Sequence, residues 1–194
     1  CDWVAEEALV ELLKHFPPED VFHIVGRDKR VEVDLNRKPS RQRPFRKSLM
    51  AAINPHDVHV DVHSYPDTDR YDDWWKYDLV IFNHNDEELV KCIVDEVEAA
   101  GYTIKVLPGD EQNDICCSVE EIGAPTCLLE FSSGLGKDES NRMPDACAAV
   151  ARGIKKRFLV RNPRSNAKKR KVSEPAEDSW VDILNKLVEQ TEEP

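Results

Sequence analysis

Between residues 58 and 107 the chain alternates short apolar runs with a helical stripe, and this alternation restricts its fold more than any other feature. Residues 58–63, 78–82, 103–107 and 126–131 each have strand length and strand composition. Between the second and third lies a helix over residues 86–100, with Leu89, Ile93, Val94 and Val97 on one stripe and Gly101 to end it. Residues 3–15 repeat Val4, Ala8, Leu9, Leu12 and Leu13 at helical spacing and stop at Pro17-Pro18. A short helix is expected over 46–53 and a long one over 143–159, the latter with Ala146, Ala149, Val150 and Ile154. Residues 21–25 and 30–35 also have strand character, the second through Val31, Val33 and Leu35. Strands interleaved with helices imply an α/β fold, a three-layer α/β/α sandwich around a mixed, mostly parallel sheet.

At 194 residues and 40% hydrophobic, the chain supports one ordinary core rather than two. A domain is expected over residues 1–160, then a basic linker over 161–178 and an amphipathic helix with its tail over 179–194. The net charge of −11 is unevenly spread. Residues 152–171 hold ten basic residues and no acidic one, leaving 17 basic against 38 acidic elsewhere. The linker has almost nothing to bury. Beyond it, Ser179 can cap a helix with Trp180, Ile183, Leu184, Leu187 and Val188 on one face, too short to stand without a surface beneath it. A protein partner for residues 179–190 is one such surface, and the chain's own domain is the other.

No run of about 18 apolar residues exists to span a bilayer, and no charged-then-apolar leader opens the chain. The six cysteines show no C-x-x-C pair, and Cys127 and Cys147 sit among apolar residues. This usage suits a reducing, intracellular compartment. Lys168-Lys169-Arg170-Lys171 resembles a simple nuclear import signal and is equally suited to non-specific contact with a polyanion, which would place the chain in the cytoplasm or nucleus. No aromatic residue interleaves the linker's charges, so base stacking is not supported. Opening on Cys1 rather than Met suggests a processed product or a piece of something longer.

Three segments carry residues suited to chemistry. On a strand, His59, Asp61 and His63 share one face while Val58, Val60 and Val62 share the other. Two imidazoles with a carboxylate suit zinc, the aspartate orienting a ligand ring, and the same pattern also fits a polar strand face against solvent. Glu130 ends the apolar strand 126–131, where a partly desolvated carboxylate can act as a general base or simply be an exposed acid. Asn36 and Arg37 leave a strand together, and a guanidinium there can grip a carboxylate. The basic cluster over 37–47 either flanks an anionic pocket or faces the linker's partner. Trp74 and Trp75 with Tyr71 and Tyr77 either wall a pocket or pack over the sheet edge. His84 and Glu87 imitate a His-x-x-Glu metal pair but read better as a helix start.

Taken in order, the run from Arg30 through Asp34-Leu35-Asn36-Arg37, then Asp61-Val62-His63-Ser64, then Leu129-Glu130, resembles the N-formylglutamate amidohydrolase family and, more distantly, the zinc carboxypeptidases. The resemblance covers roughly residues 2–155. It implies a zinc-dependent hydrolase of an amide in an N-acyl amino acid or peptide terminus, with one zinc ion. His63 would be a metal ligand, Glu130 the general base, and Asn36 with Arg37 the carboxylate grip, supported by Arg30. The family's early histidine has no counterpart after Cys1, and only Asp2 stands near its early acidic ligand. The missing ligand would then lie in a segment removed from this chain, be replaced by His59, or be absent. The last case describes an inactive descendant serving as a structural or protein-interaction module.

Overall fold

The computed structural model describes residues 3–26, 34–66, 73–136 and 142–161, with the side chains of 159–161 left aside. Chain contacts group residues 1–162 as one unit and 163–194 as another. The expected linker beyond residue 161 and the Trp180 helix lie outside the described residues, as do Arg30 and Tyr71.

Helix α1 (Trp3–Leu13) buries Val4, Ala8 and Leu12 of the stripe its spacing predicts, together with Ala5, while Leu9 and Leu13 are only partly buried. Helix α2 (Pro44–Ala52) begins on a proline, which suits a first helical turn because the missing N–H has no partner there. Strand β1 (His59–Tyr65) leads through an aromatic loop to β2 (Leu79–Asn83). Helix α3 (Glu87–Ala99) follows, started by the Asp86 side chain accepting from the Leu89 N–H at 2.8 Å and closed by Gly101 at φ +85°. Strand β3 (Ile104–Pro108), helix α4 (Asp114–Ile122), strand β4 (Thr126–Ser132) and helix α5 (Met143–Arg161) complete the order.

The strands lie in the order β1-β4-β2-β3, with β1 parallel to β4, β2 parallel to β3 and β2 antiparallel to β4. The sheet is therefore mixed and mostly parallel, with helices on both faces, and the fold is α/β. Cys127, Leu129 and Phe131 of β4, with Leu79 and Ile81 of β2, meet α1, α3 and α5 in the main core. Alternation turns Thr126, Leu128 and Glu130 to the other face, which α4 covers.

Two strand expectations differ from the structure. Residues 21–25 form no strand, and Phe22 is 61% exposed. An apolar run becomes a strand only when a neighbouring strand accepts its hydrogen bonds, and no such pairing forms there among the described residues. Residues 34 and 35 of the second candidate lie in an irregular segment and a turn, while 30–33 fall outside the described residues. Helix α4 was not expected from the sequence.

Candidate functional site

Val60 and Val62 pack against the main core, so β1 presents His59, Asp61 and His63 to the opposite face. The parallel register places His59 beside Thr126, Asp61 beside Leu128 and His63 beside Glu130. His63 and Glu130, 67 residues apart in the sequence, thus face the same side at the same level, with Val80 of β2 on the far flank of Glu130.

Asp61 is the centre of the face. Its Oδ1 lies 3.2 Å from His63 Nε2, and its Oδ2 accepts from Asn36 Nδ2 at 3.5 Å. Burial alone would push the Asp61 carboxyl up. The charge and hydrogen bond of His63, with His59 and Arg46 nearby, outweigh burial and hold the carboxyl below its ordinary range. His59 turns its Nδ1 to Thr126 Oγ1 at 2.8 Å, and burial lowers its affinity for a proton more than Asp61 restores it.

Asn36 is buried and holds the face to the helix behind it. Its Oδ1 accepts from the Ile115 N–H at 3.0 Å, and its own N–H donates to Asp34 Oδ1 at 3.0 Å. Arg37 donates from Nη1 to the Asn36 carbonyl at 2.9 Å and the Gln112 carbonyl at 2.7 Å, with Asp34 Oδ2 3.5 Å from its Nε. Arg30, the proposed support of this pair, lies outside the described residues.

Within the basic cluster over 37–47, Arg46 and Arg41 converge on Asp114. Arg46 is 1% exposed, with Nη1 3.0 Å from Asp114 Oδ2 and Nη2 donating to Ser118 Oγ at 2.8 Å. Arg41 donates to the same carboxylate at 2.7 and 2.9 Å. The Arg41 hydrogen bond, with Arg46 behind it, keeps the Asp114 carboxyl below its usual range against the opposing effect of burial. Sequence reading missed this clamp because a buried arginine and a surface arginine have the same local pattern.

The His-x-x-Glu imitation is a helix start. Asp86 caps α3 and pairs with Arg157 at 2.9 Å, Glu87 is exposed, and the His84 side chain is 3% exposed with no partner for its Nε2. Trp74 packs edge-on against Tyr65 at 5.5 Å and Phe82 at 5.6 Å, while Trp75 remains half exposed. Among the described residues no group of three or more His, Cys, Asp or Glu side chains is disposed to hold a metal ion. No described helix is long and apolar enough to cross a membrane.

No family model matches the chain, and no curated protein matches it. Among solved structures, the crystal structure of gene product Atu2144 from Agrobacterium tumefaciens is similar over 60% of this chain and 50% of that one, at 16% identity and a TM-score of 0.45. The chain thus spans half the length of that protein, and a likeness of this size transfers no function.

Proposed function

We propose that the chain is an amidohydrolase-type domain, of the N-formylglutamate amidohydrolase group its motifs resemble, which cleaves the amide of an N-acyl amino acid or peptide terminus. The observation that carries this reading is the register of β1 on β4, which sets His63 beside Glu130 with Asp61 on the His63 ring.

Glu130 is the general base in this reading. It takes a proton from the water that attacks the amide carbonyl and returns it to the departing amine, leaving a carboxylic acid and an amine. Asp61 is a positioning residue that accepts from His63 Nε2, fixing the tautomer and directing the chemistry of that ring to Nδ1. Asn36 in turn holds Asp61 and ties it to α4.

Zinc at such a site would polarise the carbonyl and acidify the attacking water. The described donors do not complete a zinc shell, because His63 and Glu130 form a pair rather than a group of three.

The test is hydrolysis of a panel of N-acyl amino acids by the full chain, with and without added zinc, beside Glu130→Gln and His63→Ala. The expected result is turnover reduced at least about 100-fold by Glu130→Gln, the usual scale for losing a general base, and turnover also reduced by His63→Ala. Absence of turnover on the whole panel would overturn the proposal.

The incomplete donor set favours one second reading, an inactive descendant that acts as an interaction module. It expects the Glu130→Gln chain to assemble normally and deletion of residues 161–194 to abolish assembly.

A further inference from the structure

Two residues beyond Glu130 on the same face of β4, Ser132 opens a cleft of about 210 Å³ lined also by Trp75, Lys76, Asp78, Gly134 and Arg142. At roughly 3.3 Å per strand residue, the Ser132 position lies about 7 Å along β4 from that of Glu130. That is the reach from a scissile amide to a charged group a few bonds away. The Ser132 N–H donates to the Asp78 carbonyl at 2.9 Å, so β4 and the start of β2 fix the cleft floor.

Arg142 is held in place before any ligand arrives. Its guanidinium carbon is 4.8 Å from the centre of the Tyr102 ring, its Nη1 is 3.0 Å from Asp78 Oδ1, and its carbonyl accepts from the Tyr102 hydroxyl at 3.0 Å. The side chain is still 39% exposed. Asp78 is fully engaged, since its Oδ2 also accepts from the Thr103 N–H at 2.8 Å and the Thr103 hydroxyl at 2.9 Å. With Lys76 also in the lining, 5.5 Å over the Trp75 ring, the cleft carries two cations against one occupied carboxylate. Arg37, by contrast, commits its Nη1 to two backbone carbonyls.

We propose that this cleft is a carboxylate-binding subsite, in which Arg142 and Lys76 hold the carboxylate of an N-acyl amino acid and the half-exposed Trp75 ring covers its apolar side chain. A planar guanidinium with unspent donors and a fixed stem matches a carboxylate bidentately, and its prior orientation lowers the entropy cost of binding. The inference rests on the hydrolase reading, because it assigns the cleft to that reaction's substrate.

The experiment compares N-acetyl-L-leucine with N-acetyl-L-leucinamide, which lacks only the carboxylate, by calorimetric binding to the full-length Glu130→Gln chain, where turnover does not interfere. The acid is expected to bind at least tenfold more tightly than the amide. Adding Arg142→Ala should erase that difference, Arg142→Lys should retain part of it, and Lys76→Ala should reduce it. Should Arg142→Ala fail to fold, the Arg142→Lys and Lys76→Ala variants decide the matter. Equal binding of acid and amide, or an acid preference untouched by these variants, overturns the subsite. Acid-selective binding with no turnover of any N-acyl amino acid by the unsubstituted chain overturns the hydrolase reading alone, and turnover without acid preference overturns the subsite alone.

Discussion

Asp61 Oδ1 and His63 Nε2 stand 3.2 Å apart on one face of β1, two residues along a strand whose other face is packed into the core. Because Val60 and Val62 anchor the strand from below, both side chains leave the sheet on the same side, two residues apart. The fold thus sets the shared face, and the two side chains complete the contact. Its loss should be visible in stability as well as in any activity.

The Asp61 carboxyl has a lowered affinity for protons in the folded chain, with His63 prevailing over burial. A depressed folded value means that the stabilisation is complete above the unfolded carboxyl's value of about 3.9 and is lost as pH falls through the folded value. Urea unfolding followed from pH 5 to pH 2 should show a steeper loss for the unsubstituted chain than for Asp61→Asn. Parallel curves would mean that the aspartate is not ionised against His63.

His59 and His84 predict an earlier acid effect. Burial depresses both, His59 against the raising effect of Asp61, and His84 against Glu120, Asp61 and Asp110. In the unfolded chain histidine takes up a proton near 6.5, so these two contribute stability above that pH and lose it as pH falls toward their folded values. His84→Leu should flatten the stability slope between about pH 6.5 and 5, a window set by the unfolded histidine value. The variant also removes a buried Nε2 that has no hydrogen-bond partner among the described residues. An unchanged slope in denaturant titrations would show that His84 is protonated inside the fold.

Arg46 and Asp114 form an ion pair at 3.0 Å in which each side chain is only 1% exposed. Asp114→Leu alone strands the buried Arg46 charge, so it should cost about 3–5 kcal/mol. The double variant Arg46→Met/Asp114→Leu should recover most of that loss, since the pair gains little over apolar packing. Arg41→Ala, at a partly exposed partner of the same aspartate, should cost less than about 1 kcal/mol. Chemical unfolding midpoints of the four chains check the ordering.

How far these relationships could be read in advance depends on distance along the chain. The shared face of His59, Asp61 and His63 follows from strand period alone, and the period held. The neighbour relation of His63 and Glu130 does not, because β4 inserts between β1 and β2 although it comes last in sequence, and no local pattern records that crossover. The Arg46 clamp was hidden for a similar reason, since its aspartate lies 68 residues away. Helix α4 is short and rich in cysteine and acid, but Ile115 and Val119 at helical spacing, with Gly123 at φ +82° to close it, were legible signals. Residues 21–25 show the opposite failure, where strand composition lacked a strand to pair with.

Gly153 sets the spacing of α5 against α3, and it offers a prediction whose sign is open to measurement. Alanine is the better helix former by about 1 kcal/mol at an interior position. A Cβ at 153, however, would stand 2.5 Å from Ile93 Cα and 2.7 Å from the Cys92 carbonyl oxygen, both backbone atoms that no rotamer change can clear. The helices would have to move apart along the seam where α3 packs on α5, which overpacking of this kind makes about 1–3 kcal/mol unfavourable. Backbone contact should outweigh propensity, so Gly153→Ala should lower the unfolding midpoint. A midpoint equal to or above that of the unsubstituted chain would place α5 farther from α3 than the structure has it, with the core between them looser.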